Sequence, residues 1–203
     1  MNFDHTASET LDDAVAGLRN AEYLEWLAKT YAKAAEAAAR DLGLEPRVWS
    51  EEDKSRILFE AIAYMSALLL EHELGDYLTR RKLLFGREPD RDRIESFRSS
   101  FLRYFPEKMR SLALSKIEVP TVGSVAAHEV TATERLKEYA RATTGKPAFE
   151  HFGVCMGLAL DPRLMMVTNI VALDSIPMLV KVIRGALDRK FGSPRQGARA
   201  LPR

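Results

Sequence analysis

The sequence predicts an all-α fold, an irregular bundle of about six to eight helices around a central buried helix over residues 50–82. Three observations predict it. The only extended β-branched run is Ile117–Val122, and Pro120 inside it demotes that run to a connector or edge piece. Apolar residues elsewhere recur at spacings of three and four, the helical period. Between Ile57 and Leu70 only Glu60 and Ser66 are strongly polar, and a helix apolar on nearly all sides is buried on nearly all sides.

Taken in order, the first helical stretch covers about Ser8 to Leu42. Ser8 or Thr10 can cap it, and Asp12 and Asp13 then suit the positive end of its dipole. Leu24, Leu27, Tyr31, Ala34, Ala38 and Leu42 form its apolar face, and Gly17 and Asn20 are places where it could divide. Gly43 ends it and Pro46 prevents continuation. Ser50 caps the central helix, which carries acids in its first turn and closes on Arg80-Arg81-Lys82. A third helix starts at Pro89 or Asp90, shows Ile94, Phe97, Phe101 and Tyr104 or Phe105 on one face, and is kinked or restarted by Pro106. Past a break at 117–124, a helix is expected over Ser124 to Ala142, then Phe149 to Leu160, Leu164 to about Leu173, and Ile176 to Phe191. The expected organisation is one helical domain over 1–191, with a possible sub-boundary at 117–124, and a disordered basic tail over 192–203.

Composition narrows the function classes. The chain has 203 residues, 46% hydrophobic and 29% charged, which describes a globular protein. Its one cysteine, Cys155, rules out an intramolecular disulfide and any zinc site built from cysteines alone. The first residues lack the basic and apolar regions of a signal peptide. The most apolar stretch, Leu164 to Leu187, contains Asn169, Asp174, Pro177, Lys181 and Arg184, which makes a poor membrane span. A cytoplasmic location is the expectation. Acids outnumber bases 13 to 7 over residues 1–60, whereas bases outnumber acids 12 to 7 over 121–203. That asymmetry can orient a partner or be neutralised within the fold.

Several constellations could carry chemistry. Glu60 and Glu71 are 11 residues apart, which at about 100° per residue places them within about 20° on one helix face, with Tyr64 between them. They could bind a metal or move protons, or they could mark the solvent strip of a buried helix. His151 and Cys155 lie at i and i+4, so the imidazole can reach the thiol, with Glu150 or Asp161 to orient it. The alternative is a buried cysteine that acts as a small hydrophobe, with Gly153 and Gly157 allowing another helix close. The four histidines, His5, His72, His128 and His151, are scattered, and their spacing supports no metal site. Between Arg80 and Arg110 there are 10 bases and 5 acids with interleaved aromatics. Arg80, Arg81, Lys82, Arg91 and Arg98 are therefore candidates for nucleic-acid contacts, and the helical spacing of the aromatics is the argument for a core instead. Met156, Met165, Met166 and Met178 fall in the apolar last third, as an interface, an apolar pocket or an ordinary core.

Phosphate-binding loops, dinucleotide fingerprints, His-Glu-x-x-His and Gly-x-Ser-x-Gly are all lacking from the sequence. The leading expectation is a non-enzymatic helical module, with no cofactor or resident metal. It would bind a protein partner, with self-association through the apolar C-terminal third and no membrane. The alternatives are nucleic-acid binding through 80–110, and an enzyme that depends on a metal or a thiol.

Overall fold

The computed structural model describes residues 3–19, 21–43, 50–78, 91–120, 127–143, 148–160, 163 and 165–192. In chain order the elements are α1 (Phe3–Arg19), α2 (Ala21–Asp41), α3 (Glu51–Leu68), α4 (Arg91–Ser111), β1 (Lys116–Pro120), β2 (Ala127–Thr131), α5 (Ala132–Thr143), α6 (Ala148–Leu160) and α7 (Met165–Phe191). The described residues thus form a bundle of seven helices with one small hairpin, as the all-α expectation requires. The tail beyond Gly192, and Arg80, Arg81 and Lys82, lie outside the described residues.

The central helix is α3. Ser50 caps it in a capping box: its hydroxyl accepts from the Asp53 amide at 3.1 Å while its own amide donates to the Asp53 carboxylate at 3.0 Å. Every residue from Ile57 to Leu70 is buried, Glu60 and Ser66 included. α5 and α6 pack on one side of it, and α7 packs along α6, α1 and α2. The helix then widens into a π-helical turn over Leu69–Glu73 before residues 74–78 resume the α form.

Four boundaries differ from the expectation, each for a local reason. The first stretch divides around residue 20 into α1 and α2, at one of the two places expected, but it starts earlier than expected. It begins by Phe3, so Ser8 and Thr10 are interior and bond back to the carbonyls of His5 and Thr6 rather than capping. Residues 127–131 are strand, not helix: β2 pairs antiparallel with β1, Ile117 opposite Val130. Ile117, Val119 and Val130 turn inward to the core while Glu118 and Glu129 stay exposed. Pro120 ends its strand, as an edge proline can. Helices α4 and α7 both continue through a proline. The carbonyls released by Pro106 and Pro177 belong to Leu102 and Leu173, which are exposed, so water can take the place of the missing amide.

By length and composition Met166–Phe191 is a helix that could cross a membrane. Here its Val171, Leu179, Ile183 and Leu187 are buried in the core. Helix α7 passes tightly over Gly153 of α6. A Cβ built there would lie 1.9 Å from Asn169 Oδ1 and 2.8 Å from the Asn169 Cα. Because the second atom is backbone, a rotamer change cannot relieve the clash. Gly153→Ala is therefore expected to destabilise the protein by about 3 kcal/mol, as overpacked cores do, and a denaturant melt reads this directly.

Candidate functional site

Polar side chains meet where α3, α5 and α6 face each other. α3 contributes Glu60 and Tyr64, one turn apart. α5 opens with a second capping box, in which Thr131 and Glu134 satisfy each other's amides at 3.3 and 2.9 Å. That start sets the phase of α5, so Arg135, Leu136 and Tyr139 point inward and Glu138 lies at the edge. α6 adds His151, Phe152 and Cys155.

The inner half of the cluster centres on Glu60, which is fully buried. Tyr139 donates its hydroxyl to Glu60 Oε2 at 2.6 Å. Arg135 Nε is 3.1 Å from the same oxygen, an ion pair by distance, yet its N–H is not aimed at it and makes no hydrogen bond. Glu60 Oε1 is buried with no partner among the described residues. Burial pushes the Glu60 carboxyl up to about 6, against the opposing pull of Arg135 and Tyr139. Burial also holds the Tyr139 and Tyr64 hydroxyls above their ordinary range. Tyr64 stacks on Phe152 with centroids 4.2 Å apart and meets Tyr139 edge-on at 5.3 Å. The alternative that Glu60 and Tyr64 mark a solvent strip is thereby overturned, since both are wholly covered.

The outer half centres on Cys155. Its Sγ lies 3.6 Å from His151 Nε2, and that same nitrogen is 2.8 Å from Glu138 Oε1. Arg135 Nη1 donates to Glu138 Oε2 at 2.5 Å and to Cys155 Sγ at 3.2 Å. Cys155 is buried, while the side chains of His151 and Glu138 are 34% and 42% exposed, so the group reaches solvent past those two side chains. Burial works against the charge on Arg135, but Glu60, Cys155 and Tyr139 outweigh it and keep the guanidinium charged. The hydrogen bond from His151 holds the Glu138 carboxyl below the ordinary range.

The contact with Cys155, and then that with Glu138, raise the His151 imidazole to about 10. Its ordinary value is about 6.5, so the stabilisation from its charge is complete below about 6.5 and is lost as pH rises through about 10. Tyr139 meets this ring edge-on, and Arg135 donates to both of its partners, Glu138 and Cys155. The stability gap between wild type and His151→Gln is expected to narrow from pH 6.5 to pH 10, as urea melts across that range would show. A constant gap would contradict it.

The geometry discriminates between two chemistries. In a thiol-based relay the carboxylate holds one imidazole nitrogen while the other takes the thiol proton. Here the carboxylate and the thiol face the same nitrogen, so Glu138 does not orient His151 as a base for Cys155. The expected orienting acids do not serve either: Glu150 is exposed, and Asp161 lies outside the described residues. What the three groups do is converge, with one ligand-type atom each from Glu138, His151 and Cys155 within 4.8 Å of one another. A tetrahedral zinc ion sets its sulfur and nitrogen ligands about 3.6 Å apart and its oxygen and nitrogen ligands about 3.3 Å apart. The first spacing is already present, and the second needs an opening of about half an ångström.

The remaining candidates fall elsewhere. Glu71 does not join Glu60, because the π turn changes the angle per residue and directs Glu71 to Arg98 of α4, 3.4 Å away. Arg98 is committed there, also donating to the Leu70 carbonyl at 2.8 Å. Arg91 is exposed at the start of α4, but Phe97, Phe101 and Phe105 are buried and offer no stacking surface for bases. Met156 is core, Met178 packs partly against the core, and the side chain of Met165 lies outside the described residues. Met166 is 81% exposed and continues into Ile170 and Leu173, an apolar stripe on the outer face of α7.

Arg135, Glu138, Tyr139 and Phe152 were not among the sequence candidates. The available signal was the Thr131-x-x-Glu134 capping box, which fixes which side of α5 faces inward. Comparison with family models, with curated protein sequences and with solved structures finds no match for this chain.

Proposed function

We propose that the chain is a helical metal-binding protein that holds one divalent transition-metal ion between Glu138, His151 and Cys155. The observation that carries this reading is the convergence of a thiol, an imidazole nitrogen and a carboxylate oxygen from two helices within 4.8 Å. A thiolate beside an imidazole favours zinc, cobalt or nickel over magnesium or calcium, which take oxygen ligands. Charge also balances. Glu60 and Arg135 offset each other, and a thiolate with the Glu138 carboxylate matches a dication beside a neutral His151. The solvent side, past His151 and Glu138, leaves the fourth position to water, the arrangement of an open rather than a closed zinc site.

Equilibrium dialysis against zinc, followed by native mass spectrometry, tests this. One zinc per chain is expected for the wild type and none for Cys155→Ser or His151→Gln, with magnesium and calcium not retained. Zinc uptake that is unchanged in both variants would contradict it.

A second reading, self-association, is favoured by the Met166, Ile170 and Leu173 stripe, which stands on the exposed side of a helix whose other side is core. The occupant is a second copy of the chain. Three side chains fall well short of the roughly 800 Å² per partner of a standard interface, so the dimer is weak and forms only at high concentration. Sedimentation equilibrium would show concentration-dependent mass in the wild type and a monomer for Ile170→Asp. A monomer at every concentration would end this reading.

A further inference from the structure

A guanidinium and a divalent cation repel each other when they share two ligand side chains. Arg135 Nη1 is bonded to Glu138 Oε2 and to Cys155 Sγ, two of the three side chains assigned to the metal. Its charge is permanent at any ordinary pH, so deprotonation cannot remove the conflict. Solvent offers no outlet, because the Arg135 side chain is only 6% exposed. The adjacent anion is Glu60, and it is only half used. Its Oε2 takes the Tyr139 hydroxyl, its Oε1 is fully buried with no partner among the described residues, and Arg135 Nε sits 3.1 Å from Oε2 with its N–H pointing elsewhere. Arginine and a carboxylate ordinarily pair through two parallel hydrogen bonds. Rotation about the outer bonds of the Arg135 side chain would complete that pair and withdraw Nη1 from the thiol.

We infer that Arg135 and Glu60 form a displaceable counter-ion pair that sets the affinity of the metal site: a cation that takes Glu138 and Cys155 turns the guanidinium onto the open oxygen of Glu60. This rests on the metal-binding reading above. Arg135 is a positioning residue that acts through the ligands without being one. Glu60 is its receiver. The site therefore favours a cation that binds thiolate strongly enough to displace an arginine already in place, which magnesium and calcium do not.

The test is the zinc affinity of the full chain, measured by competition with a chromogenic chelator. Wild type, Arg135→Gln, Glu60→Gln and the double variant are compared, each checked for folding by circular dichroism. Arg135→Gln is expected to bind about 10-fold more tightly and Glu60→Gln about 10-fold less tightly, within the range of effects of groups behind a metal's ligands. In the Arg135→Gln background, Glu60→Gln is expected to cost no affinity, because no guanidinium remains to be received. A merely electrostatic role predicts additive effects instead, with Glu60→Gln weakening binding by the same factor in both backgrounds, and a structural role predicts losses in both single variants.

Additive effects, or an Arg135→Gln variant weaker than wild type, overturn the inference while leaving the metal site standing. A wild type that takes up no zinc overturns both readings in the first titration. Should Arg135→Gln not fold, Arg135→Lys decides. It keeps the charge but cannot fork onto both oxygens, so binding several-fold weaker than wild type supports the inference, and equal or tighter binding overturns it.

Discussion

Arg135→Leu is expected to lower the free energy of unfolding by about 3–5 kcal/mol, the range for breaking a buried ion pair from one side. The cause is not the lost attraction itself but the carboxylate left behind. Glu60 is fully buried and has Tyr139 as its hydrogen-bond donor, with Arg135 the counter-charge beside it. Without Arg135, the Glu60 carboxyl must take up a proton to remain buried. Its pKa is already raised to about 6 by burial, and the substitution raises it further. A raised carboxylate binds more protons folded than unfolded, so its penalty is small below the unfolded value of about 4.3 and grows as pH rises. The loss in Arg135→Leu is thus expected to be larger at pH 8 than at pH 5. Glu60→Met combined with Arg135→Leu is expected to recover most of it, because no buried charge then remains. Urea melts of the three proteins at both pH values check this. An equal loss at pH 5 and pH 8 would remove the buried charge as its cause.

Tyr64→Ala is expected to cost about 3–5 kcal/mol, as truncation of a buried aromatic does, whereas Tyr64→Phe is expected to cost nothing or to stabilise slightly. The two variants separate the ring from its hydroxyl. The ring is fully buried and stacks on Phe152 at 4.2 Å and 10°, with Tyr139 edge-on against it. It forms the floor that fixes α6 over α3, and with α6 the positions of His151 and Cys155. The hydroxyl is buried with no partner among the described residues, so its removal loses no bond and gives back part of its desolvation cost. Thermal melts decide it. A Tyr64→Phe variant as damaged as Tyr64→Ala would show that the hydroxyl is bonded in solution.

Local chemistry explains what the sequence revealed of this fold. The Ser50 cap, the apolar run from Ile57 to Leu70 and the helix end at Gly43, with its φ of 66°, each depend on neighbours within a few residues. Patterns of that reach are legible in a sequence. The hairpin is not legible in the sequence because its evidence is split: Ile117 and Val130 alternate correctly only once they are set opposite one another. The helix expected over 124–142 starts only after β2, where Thr131 and Glu134 form its capping box. The π turn after Leu68 likewise carries no spacing signature, and it is what separates Glu71 from Glu60.

The candidate site shows the same division. The i, i+4 relation of His151 and Cys155 is local and was visible. Their partners Glu138 and Arg135 come from a different helix, and Glu60 and Tyr139 are 79 residues apart. Nothing in the spacing of the four histidines announces that one of them meets a thiol and a carboxylate. The polar residues of α5 that turn inward, Arg135 among them, become conspicuous only when the start of that helix is placed correctly.

Cobalt(II) titration tests the central claim most directly, because the metal reports its own ligands through its absorption. The account predicts saturation at one equivalent, intense visible bands of a four-coordinate ion and a near-ultraviolet thiolate-to-cobalt band that disappears in Cys155→Ser. Weak six-coordinate bands with no thiolate transition, identical in wild type and Cys155→Ser, would contradict it.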